Sequence, residues 1–233
     1  MLHRKSTWYR KGIGLLVVCL ISVLLSGCQS EDNVIEKHTA LLKKDPSNHK
    51  SYFLRGFRYE ELGEPQKALA DYSKAIELDP QNDSYLVRRG LLHEKLEKPQ
   101  QALEDYTKAI EISPQVADYY YNRGNVYLTL KERQKAIENF DEAIILDSSN
   151  ADYFNNKGYA CSLLKEYERA IKAFSSAILL APDNPDFYYG RALAWYHQGN
   201  LEEANSDYDQ VRALDPDYPY PLKSETDSDV PEP

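Results

Sequence analysis

The chain has 233 residues, and its 37 acidic against 28 basic side chains give a net charge of −9. An acidic balance with no basic stripe argues against nucleic acid as a partner and against electrostatic docking on anionic lipid. Its three cysteines, Cys19, Cys28 and Cys161, supply no disulfide framework.

The amino terminus reads as an address. His3, Arg4, Lys5, Arg10 and Lys11 make a basic start, followed by an apolar run from Gly12 to Leu25. That run is shorter than the roughly 20 residues a spanning helix needs, and it ends in Leu25-Ser26-Gly27-Cys28. The ending resembles the lipobox of bacterial lipoprotein signal peptides. The resemblance implies that residues 1–27 are removed and that Cys28 carries lipid; the plainer alternatives are an ordinary signal peptide or an uncleaved anchor. Removal would leave 24 basic side chains against 37 acidic ones, a net charge of −13. Gln29, where envelope lipoproteins held in the inner membrane tend to carry Asp, points by the same resemblance to the outer membrane, facing the periplasm. Residues 28–31 then form the anchor and a tether whose three residues after Cys28 reach about 10 Å, and the membrane partner is met through the lipid.

Beyond the tether the sequence acquires a period. Gly56, Gly90, Gly124 and Gly158 are spaced by 34 residues, as are Ala68, Ala102, Ala136, Ala170 and Ala204, and Tyr72, Tyr106, Phe140, Phe174 and Tyr208. Numbering each unit so that its Gly is position 8 starts the units at His49, Asp83, Ala117, Ala151 and Pro185. Position 32 is Pro80, Pro114, Pro182 and Pro216, with Ser148 in the third unit. A 34-residue repeat of this pattern resembles the tetratricopeptide repeat (TPR) family. The resemblance implies an all-α fold, a right-handed superhelix of antiparallel helix pairs (an α-solenoid). Small residues at 8, 20 and 27 let two helix backbones approach, the ring at 24 fills the space beside them, and Pro at 32 ends the second helix. Asn48, Asn82, Asn150 and Asn184 fall where the next first helix needs an N-cap, and Pro65 and Pro99 open second helices. The markers predict about 13 residues for each first helix and about 14 for each second one.

The ends of the array are predicted from the same register. Val34, Ile35, Leu41 and Leu42 form an apolar face, and Pro46 falls on position 32 of a unit begun too late. Residues 32–48 are therefore expected to be a capping segment, with a lone second helix over 32–45. Five units follow over 49–216 (49–82, 83–116, 117–150, 151–184 and 185–216). Positions 21 and 28 are apolar in the first four units but Asn205 and Arg212 in the fifth, so the last helix is expected to have a wetted outer side and no sixth unit behind it. Residues 217–233, rich in Pro, Ser, Asp and Glu, are expected to form a disordered acidic tail.

In the family the first helices line a concave groove through positions 2, 5, 9, 12 and 13. Carried onto this chain, those places collect Phe53, Phe57, Val87, Leu91, Tyr121, Asn125, Asn155, Tyr159, Tyr189, Leu193 and Tyr196. Rings offer contact area and amides bond to a backbone, which suits an extended peptide or a partner helix; the competing reading has the rings packing between neighbouring first helices. The family's carboxylate clamp for chaperone tails is incomplete here. Asn125 and Asn156 match its amides, but Tyr121, Asp186 and Gly190 stand at its basic places, so nothing cationic awaits a terminal carboxylate. Asp118, Asp152 and Asp186 recur at position 2, either as an acidic strip for a basic partner or as helix-dipole partners.

A second pattern reads as structural. Position 7 is Arg55, Arg89, Arg123, Lys157 and Arg191, while position 23 is Asp71, Asp105, Asn139, Ala173 and Asp207. Arg–Asp bonds tying the two helices of a unit are expected, with none for Lys157. Cys161, at position 11, reads as a small buried hydrophobe. The histidines His38, His49, His93 and His197 lack metal-ligand spacing, and there is neither a phosphate loop nor a nucleophile elbow. No cofactor, metal or catalytic residue is expected, and an enzyme remains only a remote alternative. The function expected is a lipid-anchored periplasmic scaffold or adaptor that binds a protein or peptide, organising cell-envelope enzymes. The alternative is a pilotin-like assembly factor for an outer-membrane complex such as a type IV pilus.

Overall fold

The computed structural model describes residues 34–219. The signal peptide, Cys28, the tether and most of the acidic tail lie outside the described residues. All regular structure among the described residues is helical. The chain divides into two compact units between Gln81 and Asn82.

The first unit holds α1 (34–44), α2 (His49–Glu61) and α3 (Pro65–Leu78). Asn48 caps α2 by accepting from the Ser51 amide at 3.0 Å, and Pro65 opens α3 where a missing N–H costs nothing. Tyr72 is fully buried beside Ala68 and Ala75. A Cβ on Gly56 would stand 2.9 Å from Tyr72 Cδ1, which is why that place in α2 is glycine.

The second unit contains four antiparallel pairs. They are α4 (Asp83–Lys95) with α5 (Pro99–Ile112), α6 (Ala117–Thr129) with α7 (Arg133–Leu146), α8 (Ala151–Leu163) with α9 (Tyr167–Leu180), and α10 (Pro185–Gln198) with α11 (Leu201–Leu214). Asn150 and Asn184 cap α8 and α10 through the amides of Asp152 and Asp186, each at 3.0 Å. The largest buried cluster spans three successive pairs. Ile137, Phe140, Cys161, Ile171, Phe174 and Ala194 belong to it, drawn from α7, α8, α9 and α10. Cys161 is fully enclosed there, and burial pushes its thiol pKa up. Phe174 explains a departure in the fifth repeat: a Cβ on Gly190 would come within 2.6 Å of its ring, so α10 receives the preceding repeat's ring at Gly190 while Ala192 packs with its own, Tyr208.

The turns between paired helices share a conformation that the sequence did not announce. Position 15 is left-handed in every repeat, with φ of 71° at Gly63, 55° at Glu97, 61° at Lys131 and Lys165, and 89° at Gly199. Only the first and last of these use the residue for which that region carries no Cβ penalty.

Candidate functional site

The arginine pattern sets how the helices are held. Arg55 donates through Nε and Nη2 to Asp71 at 2.7 and 2.8 Å. Arg89 meets Asp105 at 2.9 and 2.6 Å, and Arg191 meets Asp207 at 2.8 and 2.7 Å. Arg123 donates to Asn139 at 2.8 Å. Lys157 has Ala173 at position 23 and turns instead to Asp141 on α7, at 2.5 Å. A further partner was missed in the sequence. The remaining guanidinium nitrogen reaches position 25 of the helix one repeat earlier, with Arg55 on Thr39 at 3.1 Å, Arg123 on Thr107 at 3.5 Å and Arg191 on Ser175 at 3.0 Å. Asp141 occupies that same place. The repeated hydroxyl sixteen residues before each arginine was the available signal.

On the other flank of the first helices, tyrosines and carboxylates link successive repeats. Tyr153 donates to Asp118 at 2.5 Å and sets its ring 5.0 Å from that of Tyr121. Asp118, exposed in the first turn of α6, thus takes part in the packing of α8 on α6.

The inferred groove residues fall into distinct groups. In the first unit Phe53 and Phe57 are half-buried, the ring of Phe53 lying 5.5 Å from that of Tyr72. In the second, Val87 and Leu91 pack against the buried cluster of Ala102, Tyr106 and Val126, so they serve the core as much as any surface. Tyr121 is wedged between Phe140 and Tyr153, at ring distances of 6.0 and 5.0 Å. Its hydroxyl accepts from Asn156 Nδ2 at 3.1 Å. The same amide donates to Asn125 Oδ1 at 2.8 Å, and Asn155 Nδ2 donates to Asn156 Oδ1 at 3.2 Å. Tyr121, Asn125 and Asn155 are therefore joined through Asn156, which the groove positions had omitted. Burial raises the Tyr121 phenol pKa, so it stays neutral and able to bond. Tyr159, one turn from Asn155 on α8, is 48% exposed. On α10, Tyr189 lies between Tyr208 and Tyr218 at 6.2 and 5.4 Å. Leu193 and Tyr196 are half-buried there, Tyr196 edge-on to His197 at 5.7 Å.

The arrangement offers neutral rings, amides and hydroxyls, and no group of three or more His, Cys, Asp or Glu among the described residues could hold a metal ion. No helix of the described residues is long and apolar enough to cross a membrane. A second exposed feature lies on the second helices, where position 29 is Glu77 and Glu111 but then Ile145 and Leu179, 75% and 84% exposed.

Family models described as tetratricopeptide repeat or TPR repeat match residues 49–82, 98–131, 117–150 and 164–219, together more than half of the chain. No curated protein matches by sequence. Among solved structures, a crystal structure of MamA is 24% identical with a TM-score of 0.69, covering 76% of this chain and 98% of its own. MamA from Desulfovibrio magneticus RS-1, taken from residue 41 to its end, is 19% identical with a TM-score of 0.69, covering 74% and 97%. YrrB, described as a TPR protein with an unusual peptide-binding site, is 21% identical with a TM-score of 0.69, covering 79% and 95%. At these identities the likeness is one of fold.

Proposed function

The chain belongs to the tetratricopeptide repeat family, and from that premise we propose that it is a lipid-anchored scaffold of a bacterial cell envelope. In this reading Cys28 carries the lipid, the repeats face the periplasm from the outer membrane, and the first helices α6, α8 and α10 bind an extended polypeptide. The observation that carries the binding half is the joined set Tyr121, Asn125, Asn156 and Asn155 beside the exposed ring of Tyr159. Pre-positioned amides can bond a peptide backbone, and an exposed ring adjoining them gives a partner contact area. YrrB, of like fold, is described as having a peptide-binding site. The anchoring half rests on Leu25-Ser26-Gly27-Cys28 and on Gln29.

Tyr159 is the discriminating residue, because Tyr121 and Tyr189 are packed into the fold and removing them would disturb stability and binding together. The partner is captured from solubilised membranes on the full chain, identified by mass spectrometry and titrated calorimetrically. Tyr159→Ala should weaken it by about 1–2 kcal/mol while the melting temperature stays within a degree or two of the parent. Undiminished affinity would remove this face as the binding surface. For the anchor, Cys28→Ser should abolish lipid incorporation and release the chain from the outer-membrane fraction; retention there with normal processing would overturn the lipoprotein reading.

A further inference from the structure

Between α11 and Pro219 the chain turns back onto α10. Pro216 and Asp217 form a turn, with the Tyr218 amide donating to the Asp215 carbonyl at 3.2 Å and the Asp217 amide to Asp215 Oδ1 at 3.1 Å. The turn delivers Tyr218 to a defined seat. Its hydroxyl donates to Asp186 Oδ1 at 2.5 Å and its ring lies 5.4 Å from that of Tyr189. Asp186 and Tyr189 are positions 2 and 5 of the fifth repeat.

The same clasp occurs inside the array. Asp118 and Tyr121 are positions 2 and 5 of the third repeat, and Tyr153 of the next first helix meets them at 2.5 Å and 5.0 Å. There the tyrosine is presented by a helix that cannot leave without unpacking a core. Tyr218 is presented by a short non-helical segment, half-buried and followed by exposed Pro219. A helix-held contact has thus been reproduced by a short non-helical segment.

Beside this seat lies an unmet polar group. Tyr208 is 1% exposed, and its buried hydroxyl has no hydrogen-bond partner. Its ring is 6.2 Å from that of Tyr189. The equivalent hydroxyls of Tyr72 and Tyr106 end on Glu60 and Glu94, at 2.9 and 2.5 Å. In the fifth repeat the glutamate's place is taken by Tyr196.

We propose that Asp186 and Tyr189 form a tyrosine-binding subsite that Tyr218 occupies in cis, and that the polypeptide partner brings a tyrosine in an extended segment to displace it. This deepens the groove reading and rests on it for the partner's class. Asp186 accepts the incoming hydroxyl and Tyr189 packs the ring. Asp217-Tyr218-Pro219 shows the chemistry that fits, since a residue before proline is held extended. The tether sets the strength of the competition. A side chain four residues beyond α11 faces its seat at an effective concentration in the millimolar range. If Tyr218 fills the seat about 90% of the time, it lowers a competitor's apparent affinity about tenfold.

The probe is a fluorescein-labelled peptide with the sequence of residues 214–222, Leu-Asp-Pro-Asp-Tyr-Pro-Tyr-Pro-Leu, titrated by anisotropy against the full chain and its variants. Tyr218→Ala should bind it about tenfold tighter than the parent chain, and Tyr218→Phe, which keeps the ring and loses the bond to Asp186, should fall between. The same peptide with both tyrosines changed to alanine should bind none of them. Equal affinity for parent and Tyr218→Ala, no binding to either, or undiminished binding of the alanine peptide would each overturn the subsite. Thermal unfolding of each variant is run alongside; should Tyr218→Ala fail to fold, the comparison of Tyr218→Phe with the parent decides the same question. Failures of the two readings are separable. If Tyr159→Ala weakens the captured partner while Tyr218→Ala leaves peptide affinity unchanged, the subsite is wrong and the groove stands. The opposite pair of results removes the α8 face and keeps the subsite.

Discussion

In the first two repeats the ring at position 24 is a tyrosine, and its hydroxyl ends on a glutamate at position 12. In the third and fourth repeats position 12 is Leu128 and Ser162, and the ring is Phe140 or Phe174. The fifth breaks the pairing, keeping Tyr208 while position 12 becomes Tyr196, and the hydroxyl is buried without a bond. A buried unmet hydroxyl costs about 1–3 kcal/mol, so Tyr208→Phe should raise stability by about 1 kcal/mol in urea titrations. Tyr106→Phe should lower it, because Glu94 would lose its donor; burial already holds that carboxyl's pKa above its usual range. His93 gives a residue-scale pH dependence. Burial foremost holds its pKa below the ordinary histidine value; Asp105, at 3.9 Å from Nε2, and Glu104 pull the other way, while Arg89 and Lys98 add to the lowering. The folded chain therefore binds the proton less well than the unfolded one. The stability so gained is present above the ordinary histidine range and is lost as pH falls through it. Melting temperatures should drop between pH 7.5 and 5, and His93→Gln should flatten the slope, leaving the part due to His38, whose pKa is lowered in the same direction by burial.

At the scale of the helix pair, the arginine clasp and its one exception test how much each bond contributes. Asp207 is buried at 7% side-chain exposure and Arg191 at 23%. Asp207→Ala strands a guanidinium in a mostly dry place and should cost about 2–3 kcal/mol, below the cost in a fully buried pair because water still reaches Arg191. Asp141 is 40% exposed where Lys157 meets it. Asp141→Ala should cost less than about 1 kcal/mol, as surface pairs do. Equal losses in chemical denaturation would mean that the two geometries are energetically alike. The Arg–Asp bonds within a repeat were legible in the sequence because both partners recur at fixed positions. The reach to position 25 was not, because Thr39, Thr107 and Ser175 are as common on a solvated helix face as in a bond. Lys157 shows the same limit: its lack of a position-23 partner was readable, but the carboxylate that replaces it lies on another helix pair.

Across the whole chain, the period alone carried the helix pairs, their lengths and the buried rings, because small residues and aromatics at fixed steps have few other uses. The site was less legible. Register could place Tyr121, Asn125 and Asn155 on first helices, but it could not show that Asn156 joins them or that Tyr218 returns onto Tyr189, since both facts depend on side chains meeting between helices. Register also marks the outer side of α11 as polar where the earlier repeats are apolar. Position 21 is buried at Ile137 and Ile171 but half-buried at Leu69, Leu103 and Asn205, so what distinguishes the last repeat there is polarity, and Arg212, paired with Asp209, is 50% exposed at its side chain. A helix that offers its outer side to water gives a following repeat nothing to stack on, and arrays with sticky ends associate. Asn205→Ile with Arg212→Ile should recreate the stacking face of an interior repeat on α11. The double variant should remain folded by circular dichroism yet sediment as concentration-dependent oligomers, under conditions where the parent shows no such dependence. If both chains sediment alike at every concentration, polarity at these two places is not what ends the array.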